Sequence, residues 1–271
     1  TEALDKLEGA MAVDARGAPP RLLAGRVYAQ LGRRAPAIDA LTEALRRDGG
    51  DADALYLFGR LHFEKGEHLL AAAALRRAVE AANERLQPNV LYLSRYFLGQ
   101  SLLRLGRDAA ATEALGGFLT NPRRVGRSRW YLRDLVLVGR QREIAQVQVG
   151  DAYMRLGRAE AALRHYAEAD LSSRLGPGFT AGRRVYALMA LGRSADALAE
   201  AVAADAAADE PGRLELVDYV VRHAPSREAL VPDLRRAYER GERSTRIAMA
   251  LADALPAEEA GGFLEKHLRG R

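Results

Sequence analysis

Gly25-Arg26-Val27-Tyr28, followed by Leu31-Gly32-Arg33 and then by Ala37 and Ala44, is a set of residues whose spacing returns along the chain. The second copy has Gly59, Gly66, Ala71 and Ala78; the third Gly99, Gly106, Ala111 and Phe118; the fourth Gly150, Tyr153, Gly157, Ala162 and Ala169. A fifth keeps Gly192, Ala197 and Ala204 but has Val185 at the first glycine position. About two helical turns separate the paired glycines, the second glycine stops the helix, and a second amphipathic helix starts behind it with a small residue facing back. Each copy is expected to be a helical hairpin. Glycine inside a helix costs roughly 1 kcal/mol against alanine, so its repeated use needs a reason, and close approach of Gly25 to Ala37 supplies one.

The rest of the sequence agrees with an all-helical reading. Its 52 alanines and 40 leucines make a third of the 271 residues strong helix formers. With 48% apolar and 28% charged residues the chain folds rather than staying disordered. The absence of cysteine excludes disulfides, thiolate metal sites and thiol nucleophiles. No apolar run is long enough to cross a bilayer, so a soluble protein is expected, cytoplasmic or periplasmic. The chain begins at Thr1, and Ala3, Leu7 and Ala10 match a second helix without its first. Residues 1–16 are therefore expected to form a half-repeat, and the whole to belong to a longer polypeptide or assembly.

The repeated residues resemble the tetratricopeptide repeat family, whose 34-residue helix-turn-helix unit places a turn glycine and two alanines in this order. The resemblance is specific over 18–51 and 52–85, good over 92–125 and 143–176, and weak over 178–211. It implies an all-α fold, an α-solenoid in which antiparallel hairpins wind into a right-handed superhelix. About five hairpins are expected over 18–211. Beyond Pro211 an apolar period of 3.6 persists at Leu214, Val217, Val220 and Val221 and at Leu230, Leu234, Ala237 and Tyr238, so residues 212–271 are expected to be degenerate hairpins closing the stack.

Catalytic signatures are missing. The five histidines are scattered, with no metal-ligand pair near a carboxylate cluster, no nucleophile elbow and no phosphate loop. No catalytic residue, metal or cofactor is expected, and the chain reads as a non-enzyme. Gly176 to Gly182 reads as a helix break, and Ala195 to Ala208 as a solvated helix. What the family resemblance implies instead is a binding groove lined by first helices, used by a scaffold or adaptor for a partner protein or peptide. Carried onto this sequence, the lining is Arg26 and Gln30; Tyr56, Arg60 and Phe63; Tyr96, Gln100 and Arg104; Asp151, Met154 and Arg155; and Tyr186.

A second candidate lies where the period breaks. Turn glycines at 32, 66, 106, 157 and 192 give spacings of 34, 40, 51 and 35, so the fourth repeat is preceded by an insertion. Residues 121–142 hold seven arginines, the single acid Asp134 and the only tryptophan, Trp130. The net charge of +5 therefore belongs to this segment, at +6, on a scaffold that sums to about −1. Arg123, Arg124, Arg127, Arg129 and Arg133 with Trp130 would suit a polyanion, including a nucleic-acid backbone. Alternatively the insertion is an added helix with Trp130, Leu135 and Val138 buried. A third reading, a regulatory domain of an enzyme whose catalytic part lies elsewhere, leaves the same residues in place. Neither the partner nor an oligomeric state is legible.

Overall fold

Every turn glycine of the repeat adopts left-handed backbone, with φ of +72° at Gly32, +80° at Gly66, +66° at Gly106, and +72° at both Gly157 and Gly192. A side chain there would strain the turn, which is why glycine recurs. Around each one the same pair of hydrogen bonds closes the helix: at Gly32 its N–H donates to Ala29 at 3.1 Å and that of Arg33 reaches back to the Tyr28 carbonyl at 2.9 Å. The end carbonyls are thereby satisfied and the chain reverses within three residues.

A computed structural model of the chain describes residues 18–120, 131–170, 179–207, 215–240 and 245–269. The described residues form fifteen α-helices: α1 (Ala18–Gln30), α2 (Arg34–Arg47), α3 (Ala52–Glu64), α4 (His68–Ala81), α5 (Pro88–Arg104), α6 (Asp108–Thr120), α7 (Leu132–Gly139), α8 (Arg142–Arg155), α9 (Ala159–Asp170), α10 (Ala181–Ala190), α11 (Ser194–Ala207), α12 (Leu216–His223), α13 (Val231–Glu239), α14 (Thr245–Ala254) and α15 (Ala257–Arg269). They follow one another as antiparallel pairs and divide into two compact units, one up to Ala145 and one from Gln146 onward. The expected N-terminal half-repeat lies outside the described residues, as do Arg123, Arg124, Arg127, Arg129 and Trp130.

Sequence accounts for several helix starts. The Asp51 carboxylate accepts the Ala54 N–H at 3.0 Å and caps α3. Pro88 opens α5, and Pro256 precedes α15, with Glu258 and Glu259 in its first turn against the helix dipole. The expected solvated helix at Ala195–Ala208 is corrected: Ala197, Leu198, Ala201 and Val202 on α11 are buried, and of its acids Asp196 is exposed while Glu200 and Asp205 are half-buried in ion pairs with Arg184 and Arg246. Val138 is buried and Leu135 half-buried, as an added helix requires.

The first glycine of each repeat faces a different atom from the one the spacing suggests. A Cβ at Gly25 would lie 2.6 Å from Leu41 Cγ, whereas the Ala37 carbonyl oxygen is 3.5 Å away. Gly59 stands in the same relation to Leu75, at 2.6 Å, Gly99 to Leu115, and Gly150 to Tyr166. The true partner is thus sixteen residues on, one turn beyond the expected alanine. Leu41, Leu75 and Leu115 are completely buried, each contributing about 1.5–3 kcal/mol by leaving water. First helices also pack on first helices, α1 on α3 and α3 on α5 in the first unit, and α10 on α12 and α12 on α14 in the second. One layer of first helices therefore offers its outer face in each unit.

Candidate functional site

In the first unit the face built by α1, α3 and α5 is where the expected lining residues converge, and it is already covered. The chain returns to it at α7. Tyr131 sets its ring edge-on to Tyr56, with centroids 5.6 Å apart, and its hydroxyl lies 3.3 Å from Arg26 Nη2, which donates to it. Tyr56 donates its own hydroxyl to Asp134 Oδ2 at 2.6 Å, and Arg60 Nη2 lies 3.0 Å from Asp134 Oδ1. Arg26 is further fixed by Asp53 at 2.5 Å, and Asp53 accepts from Gln87 at 2.9 Å.

Several lining residues consequently sit otherwise than as open groove. Tyr56, expected on the surface, has no exposure at all, and Gln100 is buried. Phe63 and Tyr96 are half-buried and belong to an aromatic cluster: Phe63 lies 5.4 Å from Phe97, and Tyr96 lies 5.2 Å from both Phe97 and Phe118. Gln30 and Arg104 are exposed at the margins. His62 is likewise a packing residue, 4.2 Å from the Phe58 ring and paired with Glu67. Of the arginines of the insertion that are described, Arg133 and Arg140 are exposed, while Arg142 donates to the Leu119 carbonyl.

Burial governs the protonation of these groups. It pushes the Asp134 carboxyl above the usual carboxylate range, although Arg60 and the Tyr56 hydroxyl act in the other direction. It also raises Tyr56, Tyr92 and Tyr166, and takes Tyr96 to about 12. A folded state that prefers the neutral phenol contributes stability that is complete below the ordinary value of about 10 and is lost as pH rises through the raised values. The tyrosinate absorbance of Tyr56, Tyr92, Tyr96 and Tyr166 is therefore expected to appear only at high pH, together with loss of helical circular dichroism. Complete tyrosinate formation near the ordinary value with helicity intact would contradict the burial.

In the second unit, by contrast, Arg155, Tyr186 and Met249 on the first helices are exposed. On α8 and α10, Asp151 accepts from Tyr166 at 2.9 Å and pairs with Arg183 at 2.9 Å, so it holds two elements together. Met154 is half-buried beside it and Arg155 is exposed. Tyr186 is 47% exposed, and its ring stands edge-on to Tyr219 of α12 at 4.7 Å, which in turn stacks on His223 at 4.4 Å. Beyond them a cleft of about 530 Å³ between α12 and α14 is lined by Asp218, Arg222, Arg227, Arg246, Met249 and Asp253. Arg246 reaches Asp205 at 3.5 Å and Asp218 at 3.7 Å. Beside Tyr186 and Tyr219, Glu215 takes φ of +42°, an unusual backbone for a residue with a side chain. The residues of α12 and α14 are missing from the expected lining because the glycine register fades after Gly192. Asp134 did carry a visible signal, being the one acid in the insertion.

Among the described residues no cluster of three or more histidine, aspartate or glutamate side chains is placed to hold a metal, and no helix is long and apolar enough to cross a membrane. The Tetratricopeptide repeat family profile matches residues 18–51 and 52–85. No curated protein matches the sequence. Among solved structures, YrrB, described as a TPR protein with an unusual peptide-binding site, is similar at 17% identity over 81% of this chain and 92% of that one, with a TM-score of 0.53. MamA is similar at 18% identity over 69% and 89%, with a TM-score of 0.50. Naa15/Naa10 bound to HypK-THB is similar at 14% identity over 98% of this chain but 39% of that one, with a TM-score of 0.56.

Proposed function

We propose, on the premise that this chain is a tetratricopeptide repeat protein, that it is a non-catalytic scaffold that holds a partner protein or peptide on its first-helix faces. The observation that carries this reading is the group of exposed side chains on the first helices of the second unit. Tyr186 and Met249, 47% and 56% exposed, stand with Tyr219 among the charged side chains Asp218, Arg222 and Arg246. Aromatic, methionine and arginine side chains recur in interfaces because they combine contact area with polar or adaptable tips. An extended peptide with apolar anchors and a few charges of either sign suits such a surface.

A photo-crosslinking residue placed at Tyr186 or Met249 is expected to capture a partner protein that the same residue at Leu268, 70% exposed on the second helix α15, does not. With that partner in hand, Tyr186→Ala combined with Met249→Ala should weaken binding at least about tenfold. Both side chains are exposed, so the melting temperature should hardly move. Capture from Leu268 alone, or undiminished affinity of the double variant, would place the partner elsewhere.

A further inference from the structure

α7 occupies the first unit's face in the way a bound ligand would, and it fits that face incompletely. Its polar contacts come from one turn of helix, the Tyr131 hydroxyl beside Arg26 and the Asp134 carboxylate between Tyr56 and Arg60, while Val138 is buried one turn further on. Arg60 is 11% exposed at its side chain yet meets Asp134 through Nη2 alone, and the same nitrogen is shared with Glu64 at 2.9 Å. Among the described residues the buried Nε of Arg60 has no hydrogen-bond partner. A guanidinium is best satisfied by a carboxylate that takes both nitrogens in parallel, so a carboxylate better aligned than that of Asp134 would gain a bond that α7 forgoes. The outer side of α7 is also poorly suited to permanent exposure, with Leu132, Val136 and Leu137 each about half open to water.

We propose that the face of α1, α3 and α5 is a receptor for a short helical segment of a partner protein that presents an aromatic hydroxyl and a carboxylate one turn apart, and that α7 is the resident stand-in that such a partner displaces. Recognition runs through Arg26, Tyr56 and Arg60, so the partner segment is acidic at its contact point. Apparent affinity is reduced in proportion to the fraction of molecules in which α7 is docked. This goes beyond the reading of the second unit and is tested apart from it, since Arg60 and Tyr186 lie in different units.

The test uses the full chain and a fluorescent peptide of residues 131–141, Tyr-Leu-Arg-Asp-Leu-Val-Leu-Val-Gly-Arg-Gln. In a chain carrying Tyr131→Ser and Asp134→Ser, polarisation is expected to report binding at least about tenfold tighter than in the unaltered chain, as release from a docked population of about ten to one requires. Adding Arg60→Ala to the released chain should abolish that binding, as should Asp134→Asn in the peptide. Hydrogen exchange should show α7 amides losing protection in the released chain while those of α3 keep theirs. Equal affinity for both chains, no binding to the released chain, or binding indifferent to Arg60→Ala would each overturn the proposal. If the double substitution prevents cooperative melting, Asp134→Asn alone in the chain carries the same expectation, and the same three results would overturn it.

Discussion

Gly59→Leu is expected to destabilise the first unit by at least about 3 kcal/mol, against the 5–15 kcal/mol that hold a typical domain together. A Cβ there would stand 2.6 Å from Leu75 Cγ, 3.1 Å from Leu75 Cδ2 and 3.2 Å from the Ala71 carbonyl oxygen. Leu75 is fully buried and the carbonyl belongs to a helix, so neither can give way without moving α4 as a whole. Gly116 supplies the control. It lies in α6 of the same unit, yet a Cβ built on it meets nothing within 4 Å. Gly116→Ala should be neutral or stabilising by up to about 1 kcal/mol, as helix propensity alone dictates. Urea unfolding of the two variants measures the contrast, and a midpoint for Gly59→Leu equal to that of the unaltered chain would refute the close-packing account.

In the second unit the corresponding partner is an aromatic ring, and its loss should be nearly as damaging. Tyr166, 1% exposed, fills the space under Gly150 and donates its hydroxyl to Asp151, which also holds Arg183 of α10. Tyr166→Ala leaves a cavity of ring size and is expected to cost about 3–5 kcal/mol. Tyr166→Phe removes only the hydrogen bond, and should cost about 1 kcal/mol because Asp151 retains Arg183. Denaturant titration of both variants separates the contributions of the ring and the hydroxyl. Equal losses would mean that the polar network, not packing, secures this hairpin.

The hairpins were legible because two different constraints each demand glycine at a fixed interval. Gly32 and its equivalents must take positive φ, and Gly25 and its equivalents must admit the core residue of the next helix. What spacing cannot convey is which atom fills the gap, so Ala37 was read where Leu41 stands. Likewise, assigning Tyr56 to an exposed lining position assumes that nothing else in the chain lies over it. Tyr131 and Asp134 are 75 and 78 positions away, and no local pattern links them to Tyr56. Past Gly192 the constraints relax: α12 and α14 pack through valine, isoleucine, leucine and alanine, and a Cβ on Gly182 would stand an ordinary 3.7 Å from Leu216 Cδ2, so glycine is not demanded and Asp218 and Met249 had no register to be read from.

The contact between Tyr56 and Asp134 has a further consequence in time. In an unfolded chain, closing a loop of 78 residues costs about 4 kcal/mol of entropy, whereas each hairpin closes only a short one. Once α3 to α6 have formed, Tyr131 follows the last residue of α6, Thr120, by eleven positions in sequence, and the same contact becomes nearly local. The hairpins are thus expected to pair first and α7 to arrive last, so substitutions at Asp134 should speed unfolding while leaving the refolding rate almost unchanged. During synthesis, where the earlier residues emerge first, the face of α1, α3 and α5 is complete and uncovered before the segment that will close it has been made.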